Sequence, residues 1–219
     1  MTSDPQDETD PSEVSAFLSR AEITDWEADK SFSTDWASPH FFMWADLLQA
    51  SRGKPVRVLE IGSWEGRSAL FFLNFLPNSR IVCVDPFGGS VEHQLDPYYA
   101  ESAAKSEDRF DRNLAGFGDR MEKIKGSSAA ILPELGISGR RFDVAYIDGS
   151  HMAADVYADA VLAWSLVEPG GILIFDDYEW GEMDTERERP KLGIDAFLKA
   201  IEGNYRELHR GWQIAIAKT

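Results

Sequence analysis

Short apolar runs alternate with longer amphipathic stretches through most of this chain. Val56–Ile61, Arg80–Asp85, Met121–Lys125, Phe142–Asp148 and Gly171–Phe175 are each five to seven residues long and each is followed by Gly, Pro or Asp. Runs of that length bounded by turn formers read as strands. Between and after them, residues 68–76, 98–114, 129–135, 153–167 and 194–201 read as helices. In 153–167, Val156, Ala160, Trp164 and Val167 share one face at helical spacing. Upstream, Phe42, Ala45 and Leu48 keep that spacing within Pro39–Ala50, and Gly53 supplies a stop.

Strand, helix and strand in repetition predict a parallel sheet covered on both faces. The ending differs, because Tyr205–Leu208 and Trp212–Ala217 flank Arg210-Gly211 and so predict a tight antiparallel hairpin at the sheet edge. The expected fold is α/β: a doubly wound, mostly parallel seven-stranded sheet with a C-terminal antiparallel β-hairpin.

Length and charge refine this outline. The chain has 219 residues, 43% of them hydrophobic, enough for one domain with a sizeable core. That domain is expected over residues 54–219, after an N-terminal helical segment at 15–53 and an acidic, disordered leader at 1–14. The formal net charge is −16, which argues against nucleic acid or anionic lipid as a main partner. Nine of the 38 acidic residues fall in residues 1–30 beside only Arg20 and Lys30, so the body is mildly acidic. The single cysteine, Cys83, excludes an intrachain disulfide and a cysteine-based zinc site, and its apolar run makes it a buried strand residue. The first residues carry neither the basic region nor the apolar stretch of a signal peptide, and no apolar run reaches membrane-spanning length. These features favour a cytoplasmic protein with a small-molecule partner. A homodimer remains open.

In an open parallel sheet, ligands bind beyond the carboxyl ends of the strands. Here those ends carry Glu60-Ile-Gly62, Asp85-Pro86, Asp148-Gly-Ser-His151 and Asp176-Asp177. The first loop, Gly62-Ser-Trp-Glu-Gly66, breaks the dinucleotide pattern and mis-spaces a Walker loop. Glu60 at its mouth would repel a pyrophosphate but suits a cationic amine, while Ser68 and helix-start amides can hold a carboxylate. Together these favour an amino-acid moiety. Asp85 is placed to accept from both hydroxyls of a ribose. The implied ligand is S-adenosylmethionine.

Four segments carry a family resemblance: VLEIGSWEGRSA (58–69), RIVCVDP (80–86), KGSSAAILPEL (125–135), and FDVAYIDGSH followed by GGILIFDDY. From about Val56 to Tyr178 the chain resembles class I S-adenosylmethionine-dependent O-methyltransferases, and is similar to the catechol, caffeoyl-CoA and macrocin-type families. The resemblance implies the Rossmann-like methyltransferase fold. It also implies a pocket in which Gly62 and Trp64 lie along the methionine, Ser68 meets its carboxylate, Asp85 holds the ribose and Ser128 approaches the adenine. Asp148, Asp176 and Asp177 match positions that bind a divalent cation in these families. Oxygen-only ligation points to magnesium or manganese. His151 matches the catalytic position of the macrocin-type enzymes, where it would deprotonate a hydroxyl of a sugar or phenolic diol. The two Asp at 176 and 177 depart from the Asp-Asn pair of the catechol type and weaken the case for a catechol.

Other readings use the same residues. The Asp cluster is structural in a cation-independent methyltransferase of oxygen or nitrogen, and the chain is a scaffold in a non-enzymatic member. A nicotinamide dehydrogenase is disfavoured by the missing glycine and by Glu60. The acceptor is not specified. Its expected walls are His40–Trp44, Pro86–Gln94 and Glu179–Pro190, with Arg187, Arg189 and Lys191 read as a solvated charge run.

Overall fold

A computed structural model describes residues 15–90, 97–181, 185 and 189–219. The leader at 1–14, most of the loop after Pro86 and Arg187 lie outside the described residues. Seven strands form one sheet: β1 (Val56–Ile61), β2 (Ser79–Asp85), β3 (Met121–Lys125), β4 (Phe142–Ile147), β5 (Val167–Phe175), β6 (Tyr205–Arg210) and β7 (Ile214–Lys218). Their order is β3-β2-β1-β4-β5-β7-β6. The first five are parallel, and β7 runs antiparallel to both β5 and β6. The chain reverses its direction of travel across the sheet between β1 and β4, which opens the crevice where such sheets bind ligands.

The helices are α1 (Arg20–Glu27), α2 (Phe41–Leu48), α3 (Arg67–Phe75), α4 (Pro97–Leu114), α5 (Ser128–Ile137), α6 (Ala153–Leu166) and α7 (Pro190–Ala200). Alternation along the strands assigns each layer its core. Val58, Cys83, Val144 and Tyr146 face α1–α4, where Trp44, Phe71, Phe72 and Phe110 are buried. Leu59, Ile61, Ala145 and Ile147 face α5–α7, meeting Leu132, Val156 and Phe197. Cys83 is buried, as expected.

Two details differ from the sequence-based outline. Helix α1 was not placed individually, although Ser19 and Glu22 form a capping box at its start. The hairpin is wider than the Arg210-Gly211 turn, because residues 211–213 all lie between β6 and β7. The extra length brings Trp212 and Gln213 back over the end of β5, where the Tyr178 N–H donates to the Trp212 carbonyl (2.8 Å). Among the described residues no helix is long and apolar enough to cross a membrane.

Candidate functional site

Beyond the carboxyl ends of β1, β2, β4 and β5 lies a cavity of about 770 Å³, within the usual range for small-molecule pockets. Gly62, Trp64, Asp85, Ser128, Asp148, His151, Asp176 and Asp177 all line it. The strand ends thus bring together most of the residues singled out above.

The loop after β1 is held by side chains from three directions. Gly62 has φ +83°, and a Cβ there would stand 1.8 Å from the Asp148 carbonyl oxygen. The glycine is therefore required by the close crossing of the β1 and β4 loops. Asp85 Oδ2 accepts from the Ser63 N–H (2.6 Å) and the Trp64 N–H (2.8 Å), and Oδ1 accepts from the Phe87 N–H (2.5 Å). Asp85 thus shapes the loop besides lining the cavity. Trp64, at φ 47°, and Asp177, at φ 58°, are two of the three described non-glycine residues with positive φ. Such strain persists where surrounding contacts over-determine a site.

Buried Glu65 fastens the N-terminal segment to this loop. It accepts from the Ser33 N–H and hydroxyl (2.5 and 2.6 Å) and pairs with Arg109 of α4 (2.5 Å). Arg67 pairs with Glu27 (2.8 Å) and Asp35 (3.0 Å). These ties bring Asp35, Trp36 and His40 to the cavity wall.

Glu60 and Ser68 are placed differently from the expectation. Glu60 is fully buried and does not line the cavity; its side chain points from β1 toward α3, beside Ser68 and Cys83. The reason is strand alternation: Glu60 shares the face of Val58, whereas the cavity begins at Ile61. The Glu60 oxygens make no well-formed hydrogen bond, and Ser63, Ser68 and Cys83 beside them offer only weak ones. Burial raises its carboxyl from 4.5 to about 7. Below 4.5 the group is protonated in both folded and unfolded chains, so it has no ionisation cost there. As pH rises from 4.5 to about 7 the unfolded chain ionises first and stability falls. Glu60→Gln is accordingly expected to match wild type near pH 4 and exceed it by ~3 kcal/mol near pH 8. Urea unfolding at the two pH values checks this, and an unchanged difference between them contradicts it.

The acidic cluster sits at the β4 and β5 ends. Asp148, His151 and Asp177 each offer a ligand atom within 4.8 Å of the others. His151 Nε2 lies 2.9 Å from Asp177 Oδ2, and its ring packs against Trp180 with centroids 4.5 Å apart. Asp176 is drawn off into the interior. Its Oδ2 accepts from the Tyr146 hydroxyl and from Gln213 Nε2 (2.8 Å), and its Oδ1 accepts from the Asp177 N–H (2.7 Å). Trp44 Nε1 in turn donates to Gln213 Oε1 (2.6 Å), so a buried chain ties α2 and the hairpin to the cluster. Burial and the neighbouring carboxylates push Asp148 well above the usual range, and burial with Asp177 takes Asp176 to about 7. A crowd of carboxylates with raised pKa values has the electrostatics of a site suited to added positive charge.

Gln213 was not foreseen, since its partners are 169 and 37 residues away in sequence. Gln213→Leu leaves buried Trp44 Nε1 and one Asp176 contact unpaired. It is expected to lose about 2–4 kcal/mol of stability in urea unfolding. A loss within error of zero would remove the chain from the fold's support. Asp159 was also missed. It lines the cavity from α6, beside Ser128, and burial raises its carboxyl to about 6.

Residues 59–178 match a family described as "Methyltransferase domain". Among curated proteins, O-methyltransferase hkm8 of Aspergillus hancockii is 31% identical over 130 residues, 58% of this chain and 45% of that protein. Mycinamicin VI 2''-O-methyltransferase of Micromonospora griseorubida is 26% identical over 149 residues, 65% of this chain and 31% of that protein. The chain spans between 31% and 59% of the length of the curated relatives it matches. Two solved structures share the fold. The Bacillus cereus O-methyltransferase in complex with SAH has a TM-score of 0.60 at 19% identity, with 93% of each chain covered. MycE methyltransferase in complex with Mg, SAH and mycinamycin VI has a TM-score of 0.58 at 21% identity, covering 90% of this chain and 54% of that one.

Proposed function

The chain belongs to this methyltransferase-domain family, and from that premise we propose that it transfers a methyl group from S-adenosylmethionine to a hydroxyl of a small molecule bearing adjacent oxygens, assisted by a divalent cation. One observation carries the reading: a single cavity unites Gly62, Trp64 and Asp85 with Asp148, His151 and Asp177.

The residues suit both groups. For the cofactor, Gly62, Trp64 and Asp85 line the cavity where the β1 and β2 strands end. The cofactor's amino-acid part would lie near this end, along Gly62 and Trp64, with its ribose toward Asp85 and its adenine toward Ser128. For a cation, Asp148 and Asp177 give carboxylate oxygens, with His151 as their neighbour. Carboxylate-rich sets favour magnesium or manganese. Asp176, whose oxygens are engaged by Tyr146, Gln213 and the Asp177 N–H, acts in this reading as support for its neighbours.

When bound, the cofactor supplies an electrophilic methyl on a sulfonium, and the cation makes a hydroxyl more acidic. The protein does the rest by positioning. His151, whose Nε2 faces Asp177 Oδ2, is the residue assigned to receive the hydroxyl proton. Asp177 then stabilises the imidazolium. The walls hold the acceptor oxygen in line with the methyl, which supplies much of the rate.

A second reading, transfer without a cation, is favoured by the His151–Asp177 pair itself, which orients a base unaided. Turnover of labelled S-adenosylmethionine with a vicinal-diol panel, with and without excess EDTA, separates the two. The proposal expects chelation to abolish transfer and magnesium to restore it. Undiminished turnover in EDTA supports the second reading.

A further inference from the structure

The cavity has a rim the reaction does not require. Trp36 and Trp212 each line it while keeping 45% of their surface exposed. They come from opposite ends of the chain, Trp36 from the segment fastened by Glu65 and Trp212 from the turn of the β6–β7 hairpin. Trp36 lies with its ring centroid 5.7 Å from both Trp64 and Tyr99. On the cluster side, Trp180 covers His151. Exposed indoles gathered around one opening offer flat apolar faces to a bound ring.

The charge of the lining is equally one-sided. Asp35, Asp155 and Asp159 join the strand-end carboxylates, and among the described residues no Lys or Arg lines the cavity. Lys191 and Arg210 lie instead over the Tyr178 ring, 4.5 and 5.2 Å from its centroid. A divalent cation and a sulfonium leave the lining net negative. An anionic acceptor would meet uncompensated like charge in a partly desolvated site, whereas a cation would meet carboxylates and indole faces.

We propose that the acceptor is a flat-ringed, uncharged or cationic molecule stacked against the Trp36–Trp212 rim, and that the site rejects carboxylate- or phosphate-bearing acceptors. This rests on the methyltransferase reading above and narrows its substrate class, the aromatic rim outweighing the case that the Asp176-Asp177 pair makes against a ring diol.

Three probes that share one diol and differ in charge test it: 3,4-dihydroxybenzylamine, 3,4-dihydroxybenzyl alcohol and 3,4-dihydroxybenzoate. Each is titrated calorimetrically into full-length protein saturated with S-adenosylhomocysteine and magnesium. The expected order of affinity is amine at least equal to alcohol, with benzoate weaker than alcohol by about tenfold or more. Trp212→Ala, at an exposed turn position, is expected to weaken the alcohol by about tenfold while leaving S-adenosylhomocysteine affinity unchanged. Benzoate binding as well as the alcohol, no binding by any probe, or no effect of Trp212→Ala overturns the proposal. The preceding S-adenosylhomocysteine titration separates the two levels. Its failure removes the methyltransferase reading, whereas its success with the wrong charge order removes only this inference.

Discussion

Asp177→Asn is expected to abolish divalent-cation binding and to lower kcat/KM by about 10³ or more, with S-adenosylhomocysteine affinity little changed. The substitution removes one charge from the cluster and the carboxylate that faces His151 Nε2 at 2.9 Å. Asn is the informative replacement, because position 177 has φ 58°, a conformation that Asn tolerates and most residues do not. Loss of activity then reports lost ligation and lost orientation of the base. Calorimetry of magnesium into the cofactor complex reads the first, and single-turnover methyl transfer reads the second. A variant that keeps both wild-type magnesium affinity and wild-type turnover would falsify the assignment of Asp177.

His151→Gln is expected to lower kcat by about 10²–10⁴ while magnesium and S-adenosylhomocysteine still bind with near wild-type affinity. The split matters because geometry gives His151 two possible roles. One of its ring nitrogens stands within the same 4.8 Å group as the Asp148 and Asp177 oxygens, so it is near enough to be a third ligand. A base loses rate and keeps the cation, whereas a ligand loses both together. If magnesium affinity falls as steeply as kcat, His151 belongs with the ligands and the proton must leave by another path.

Much of the fold was legible because its signals are local. Short apolar runs bounded by turn formers, helical spacing between them and the alternation of the two are enough to imply a parallel doubly wound sheet, and β1 to β5 fall within a few residues of their expected limits. Helix α1 was not set apart within the helical segment at 15–53 although its Ser19–Glu22 capping box was readable, because its apolar face is narrow and Ile23 is its one buried residue. The hairpin turn was drawn too tight because Trp212 and Gln213 look like strand residues. Their work is tertiary: Gln213 reaches Trp44 and Asp176, and Trp212 stands at the cavity rim.

The site was legible at strand ends and illegible in depth. Position after a strand brings Asp85, Asp148 and Asp177 to the cavity, but the direction of each side chain depends on one residue of register. Glu60 therefore points into the helical layer one residue before the cavity opens, and Asp176 turns inward while its neighbour Asp177 stays on the cluster. Tyr146 is hidden in an apolar strand, yet its hydroxyl joins the Asp148 and Asp176 carboxylates. Asp159 lies within an amphipathic helix and carried no motif. These contacts depend on packing between distant segments, and composition and spacing carry no record of them.

The central claim is that one cavity takes both a sulfonium cofactor and a cation. Calorimetric titration of S-adenosylhomocysteine, followed by magnesium into the resulting complex, tests it most directly. The account predicts one cofactor site per chain and a magnesium site that is present in wild type and absent in Asp177→Asn. Folded protein that binds no S-adenosylhomocysteine would contradict the account altogether, and cofactor binding without magnesium would leave only the cation-independent reading.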